Sequence, residues 1–315
     1  MAEPKKRNSN RLHERMVRND DIFCSLLFDS RHKTLRVVDF RGGNFQTKHN
    51  YLERVLMSDG IRKVFTLIER DDMTGWQRVG YLREGTIPGY YKRSDAYIMS
   101  KIYDEDWAGA PESEDVPERK NLFNDIRALA KEMSDVQVSG LRAEHIADEE
   151  TLDLLKLERD RLLQKAPAAK AKTKAKGKGA AAATHIPPAV EDLPLFRQFS
   201  REIEYHYFVC QNRRTKQLNM FGAEYQDCFG NAKVDVYFQP IAKPDYGIAR
   251  HGLLSFIDWL LGIGAVTVFS LVRVDDLPLN ALFASAGFRN TGYLNRQVLG
   301  DPGPVDQILW TKKLT

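Results

Sequence analysis

Residues 247–249, Gly-Ile-Ala, open an apolar-faced helix predicted over residues 249–261. Backbone N–H groups at a helix start carry partial positive charge and can cradle a phosphate. Arg250 and His251 in the first turn oppose the negative charge of Asp245 just ahead, and a plain helix start is the competing reading. Gly42-Gly43-Asn44 is a second candidate phosphate loop, although a glycine pair more often makes a turn. Tyr205, His206 and Tyr207 could line a substrate, but alternating aromatics on a strand more often pack across it. Trp259, on an apolar helix face, reads as core. Cys24, Cys210 and Cys228 lie far apart without metal-ligand spacing, which argues against a disulfide framework or a zinc site and points to a reducing cytoplasm.

These residues need elements to hold them, and the chain supplies two similar sets. In the first half, residues 34–40 and 63–68 read as strands, residues 51–58 as a short helix, and residues 71–79 as a helix capped by Asp71 or Asp72. Strands follow at 82–86 and 97–102. In the second half, residues 204–211, 218–225 and 232–238 read as strands, followed by the helix at 249–261 and a buried strand at 265–274. A helix over 278–286 stops at Gly287, and strands at 293–298 and 307–312 finish the set. This is an α/β class with a mixed sheet.

Between the halves, residues 121–133 and 149–163 carry apolar side chains at helical spacing, and residues 111–117 are an acidic loop. Residues 166–184 are almost only Ala, Lys and Gly, cannot bury a core, and are expected to form a disordered tether. The predicted layout is therefore 1–107, a helical connector at 108–165, a linker at 166–185 and a second domain at 186–315. The formal charge of +4 rests on six lysines of that linker region; the remainder is slightly acidic, and no aromatics interleave the lysines. A nucleic-acid partner is not expected. The apolar stretch at 253–271 is broken by Asp258 and glycines, so neither membrane insertion nor export is expected.

Set side by side, the halves repeat. Gly60-Ile61, a strand and Asp71-Asp72 match Gly262-Ile263, a strand and Asp275-Asp276. Trp76, Gly80 and Tyr81 match Phe283, Gly287 and Phe288, while residues 95–101 match residues 306–312.

The segment Glu84-Gly-Thr-Ile-Pro-Gly-Tyr-Tyr91 with Asp95-Ala96, and the segment Asn280-Ala-Leu-Phe283 with Gly287-Phe288, Thr291-Gly292 and Trp310, resemble the GNAT acetyltransferase superfamily and, within it, the beta-lysine N-acetyltransferases. The likeness covers most of residues 30–105 and 195–315. It implies two GNAT-like units, an acetyl-CoA co-substrate and a small amine acceptor. It also implies cofactor contacts from Val236, Tyr237 and Phe238 on a splayed strand, and from Tyr246, Gly247, Ile248, Ala249, Arg250 and His251 at the helix start. Many members resemble one another in placing an acid tyrosine where this chain has Phe283. Where the family carries strand carboxylates this chain has Lys233 and Val236, leaving Asp235 and Glu224 as candidate bases. Asn280 matches a family asparagine and either binds a ligand or caps its helix. The alternative function is a degenerate GNAT-like binding or assembly module, with a homo-oligomer or another protein as partner.

Overall fold

The computed structural model describes residues 12–104, 117–146, 203–214, 218–237, 243–300 and 303–314. The linker, the helix expected over 149–163 and Phe238 lie outside these residues. The first unit runs β1 (Leu12–Arg18), β2 (Phe23–Asp29), β3 (Thr34–Asp39), α1 (Phe45–Asp59), β4 (Lys63–Ile68), α2 (Met73–Arg78), β5 (Leu82–Ile87) and β6 (Ala96–Ile102). Then come α3 (Pro117–Asp135) and β7 (Leu141–Ile146). The second unit runs β8 (Ile203–Asn212), β9 (Leu218–Gln226), β10 (Asn231–Val236), α4 (Tyr246–Gly262), β11 (Thr267–Arg273), α5 (Leu277–Ser285), β12 (Arg289–Leu299) and β13 (Pro304–Lys313). Among the described residues, no helix is long and apolar enough to cross a membrane.

All these strands join in one mixed sheet of order β1-β2-β3-β4-β6-β5-β12-β13-β11-β10-β9-β8-β7. The order reads alike from either side of the β5–β12 junction, apart from β7. That junction is a single rung, Gly85 to Gly292, on a pseudo-twofold axis. Each of these strands carries a register irregularity beside its glycine against its hairpin partner. A Cβ on Gly292 would stand 2.5 Å from Gly85 Cα and 2.7 Å from Glu84 O, so the close approach of the backbones requires glycine at 292.

The equivalence extends to individual bonds. Gly80 (φ 88°) and Gly287 (φ 83°) turn the chain out of α2 and α5 in a conformation that glycine adopts without strain. Above them Lys101 Nζ donates to Val79 O (3.3 Å) and Lys312 Nζ to Ala286 O (2.8 Å). Trp76 meets Tyr81 edge-on at 4.7 Å as Phe283 meets Phe288 at 5.0 Å. One pairing from the sequence shifts: Arg62 N donates to Lys33 O as Val266 N does to Gly230 O, which aligns Gly60 with Gly264 rather than Gly262. The two extra residues of α4 hide that offset.

The helices cover one face of the sheet. Leu26, Phe28, Leu35, Val64 and Trp76 pack under α1 and α2, while Val234, Val268, Leu253, Phe256 and Phe283 pack with α3, α4 and α5. The opposite face carries a third core shared by both units, in which Phe65, Leu67, Ile87 and Ile98 meet their repeat partners Phe269, Leu271, Leu294 and Leu309. Two separate cores therefore do not describe the molecule.

Hairpin turns clasp the units reciprocally. Thr267 Oγ1 donates to Pro88 O at 2.7 Å, and in the matching place Lys63 Nζ donates to Asn295 O at 2.6 Å. Within each turn an aspartate braces the backbone, Asp95 accepting from Gly89 N and Asp306 from Arg296 N.

Candidate functional site

β10 and β11 run parallel for three rungs, from Asn231–Thr267 to Lys233–Phe269. β11 then continues against β13, and β10 continues against β9. Among the described residues no rung joins β10 and β11 beyond that point, so the two strands fork. The resemblance implies such a splay. β3 and β4 fork in the same way after Val37 and Thr66.

At the apex, on the face away from α4, Lys233 Nζ lies 2.6 Å from Asp235 Oδ2 and 3.6 Å from Glu224 Oε1. Register explains the grouping: Glu224 stands directly across from Lys233, and Asp235 lies two residues along the same strand face. Burial opposes charge on Lys233, but the Asp235 and Glu224 carboxylates overcome it and hold the ammonium protonated. Burial raises the Glu224 carboxyl above its ordinary value, and Asp235 adds to the rise, while Lys233 and Arg36 act against it. Arg36 belongs to the first unit, so the site draws on both halves. Tyr90, on the β5–β6 turn, reaches over as well: Gln226 Nε2 donates to its hydroxyl at 3.3 Å and Asn231 Nδ2 to its carbonyl at 2.8 Å. Tyr237 lays its ring over Gly222, where a Cβ would collide with it, and its N–H donates to Met220 O at 2.9 Å. Burial, then Asp235, pushes the Tyr237 hydroxyl well above its ordinary value.

The site residues expected from the sequence fall into two groups on opposite faces. Glu224, Asp235 and Tyr237 come together at the fork. Val236, Tyr246, Ile248 and Ala249 point into the core around α4. A Cβ on Gly247 would run into Val138, on the stretch between α3 and β7, so glycine is required there by chain packing. Arg250 Nε donates to Ser285 O at 3.2 Å, tying α4 to the C-terminal end of α5, and His251 is exposed. Val138 and Val136 therefore crowd this helix start. Among the described residues no group of three or more His, Cys, Asp or Glu could hold a metal.

Asn280 does not cap α5; Asp276 does, its carboxylate accepting from Leu279 N at 3.1 Å. Fully buried, Asn280 donates to Arg273 O and Asp276 O, both at 2.8 Å, and accepts from Trp310 Nε1 at 2.8 Å. Its amide binds the β11–α5 turn to β13. Asp72 likewise makes no side-chain cap on α2, contrary to expectation. Phe283 is core. The His206 neighbourhood is aromatic packing, with His145 stacked on Trp259 at 4.1 Å and His206 edge-on to it at 4.9 Å.

Sequence reasoning missed Arg36 and Tyr90 at this site, because both come from the other unit. It noted Lys233 only as a departure from a pattern. The available signal was a basic residue two positions from an acid on one strand face.

No known family profile matches the chain, and no curated protein matches it. Among solved structures it is similar to a variant spermidine N-acetyltransferase from Vibrio cholerae, with 17% identity and a TM-score of 0.31 over 35% of this chain. The chain spans 65% of that protein's length. A second similarity is to spermidine N-acetyltransferase from Vibrio cholerae in complex with CoA and spermine, with 13% identity and a TM-score of 0.36 over 56% of this chain and 96% of that one. At these values neither likeness bears on what the chain binds or does.

Proposed function

We propose that the chain is a tandem GNAT-type N-acetyltransferase that moves an acetyl group from acetyl-CoA to a small amine, the acceptor being a diamino acid of the beta-lysine kind. The observation that carries this reading is the fork of β10 and β11 with two carboxylates at its apex. CoA supplies the acetyl thioester; the chain's own residues do the rest. The parted β10 offers strand-type backbone bonding to an extended arm. In this reading Glu224, its carboxyl raised by burial, takes the proton that the amine nitrogen loses as it bonds to the acetyl carbon and the carbon–sulfur bond breaks. Asp235 holds the local ammonium. The test is titration calorimetry of the full chain with acetyl-CoA, followed by thiol-release assays with beta-lysine, lysine and spermidine. Turnover should appear, and Glu224→Gln should lower kcat by about a hundredfold with little change in acetyl-CoA affinity. Absence of acetyl-CoA binding at millimolar ligand defeats the reading.

One arrangement favours a second reading, a degenerate binding or assembly module. The Lys233 ammonium already occupies the place between the carboxylates that an acceptor amine would take. Acetyl-CoA binding without turnover, restored by Lys233→Met, would fit an occluded enzyme; neither binding nor turnover in either form would leave the module.

A further inference from the structure

The β5–β12 junction floors a groove of about 1210 Å³ on which neither the fork nor the helix starts draw. Its walls come from three places: β5 and β6 of the first unit, β12 of the second, and α3. Since α3 has no described counterpart in the first unit, the groove breaks the pseudo-twofold symmetry. Six cationic side chains line it, namely Arg83, Lys101, Arg119, Lys120, Arg127 and Arg296, against two carboxylates, Glu84 and Asp306. Both carboxylates are engaged by the chain itself. Glu84 pairs with the buried Lys63 at 2.6 Å and accepts from Asn295 N at 3.1 Å, and Asp306 accepts from Arg296 N at 2.6 Å.

Arg83 and Arg127 are held by neutral groups that orient them without cancelling charge. Arg83 donates to Thr86 Oγ1 at 2.7 Å and lies 5.1 Å from the Tyr97 ring centre. Arg127 donates to Asn124 Oδ1 at 3.1 Å, and Arg119 sits 3.7 Å above the Tyr293 ring while donating to Asn295 Oδ1. Thr291, also in the lining, keeps a buried hydroxyl with no hydrogen-bond partner. A buried hydroxyl left unsatisfied costs free energy that a ligand oxygen would recover. At the rim Leu82 is 68% exposed, an apolar contact beside the charges.

We infer that this groove binds a compact polyanion, a phosphorylated small molecule of nucleotide size. The volume leaves ample room for such a ligand. The cations come from β5, β6, β12 and α3 around one groove rather than from a single strand or helix face, which favours a compact ligand over a polymer that lies along one face. The site is separate from the fork, so this inference does not depend on the transferase reading.

The test is calorimetric titration of the full chain with inorganic tripolyphosphate and with ATP at low and physiological ionic strength. Wild type should bind both, more weakly as salt rises. The Arg83→Gln/Arg127→Gln double variant should bind at least about tenfold more weakly, each change removing a charge-assisted bond. Both residues are exposed, so folding should survive. Thr291→Val should weaken binding without altering the charge. Binding of ATP but not tripolyphosphate would identify a nucleoside as the anchor within the same site. Absence of binding to wild type at low salt, equal binding by the double variant, or tighter binding of a short single-stranded DNA that competes at the same residues would each overturn the inference.

Discussion

The two units share a skeleton and differ in what fills it. Where the second unit has Glu224, Lys233 and Asp235 at its fork, the first has Leu27, Arg36 and Val38 in the matching register positions. The fork therefore survives in both, while carboxylates remain at one. Conversely, the second unit's helix start is crowded by Val138, and the first unit's α1 start keeps a pocket of about 610 Å³ bordered by Asn44, Thr47 and Arg78. A repeated fold can thus hold its backbone bonds constant and divide the chemistry, because the shared core and the turns depend on residues that the site does not use.

The largest expected effect comes from the matched core aromatics. Trp76→Ala and Phe283→Ala should each destabilise by about 3 to 5 kcal/mol. Because the third core joins the units, each variant should lower one common unfolding transition, followed by calorimetry and circular dichroism. Two separated transitions in the Trp76 variant would break the picture of units that stand or fall together.

Next comes the junction. Gly292→Val should cost about 3 kcal/mol, since the new side chain meets backbone on the partner strand. Gly85→Val should cost less, because the first atom it meets is the movable Leu309 Cδ2 at 2.9 Å. Equal and small losses in denaturant titrations would show that the strands do not touch there.

The helix caps sharpen the comparison through pH. Burial raises Asp276 to about 6, with its bond from Leu279 N acting the other way. The folded form thus holds a proton more tightly than the unfolded form. That contribution to stability is complete below the ordinary carboxylate value and is lost as pH climbs from there through about 6. Asp276→Asn keeps the cap but not the charge, so it should be about 2 kcal/mol more stable than wild type at pH 8 and level with it near pH 4. Asp72, its counterpart, is also raised by burial but lies nearer solvent, so Asp72→Asn should show the same sign with a smaller effect.

The smallest effect concerns the stack of His145, Trp259 and His206, whose place in the first unit is taken in part by Arg15. Burial lowers both histidines, with Glu204 opposing the shift at His206. Their stabilising contribution is present above the ordinary histidine value and fades as pH falls through the depressed ones. Trp259 emission should quench over that acid range, and His145→Phe with His206→Phe should abolish the change. An unaltered titration would remove the histidines from it.

Much of this arrangement was legible. Lys63–Ile68 is a run of β-formers buried on both sides, and its limits agree with the sequence pattern. β1 (LHERMVR) and β7 (LRAEHI) were not legible, since alternating charges at a sheet edge look like loop. The repeat could be read from Trp76 and Phe283 outward, whereas the two-residue offset at Gly60 could not, because α4 lengthens without any local mark. At the fork, Glu224 and Asp235 were visible as acids near one another in predicted strands. The lysine between them depends on cross-strand register, and Arg36 and Tyr90 depend on how the halves meet, which no window of sequence contains.

The Gly85–Gly292 rung also bears on concentration. Two separate subunits meeting at such a seam would part on dilution, and any substitution would appear in both at once. Joined in one chain, the partners stay at a fixed effective concentration however dilute the protein, and its midpoint of unfolding should not move with dilution. Each substitution also appears once, on one side of the axis. That freedom lets Leu27 and Glu224 occupy matching places in one molecule.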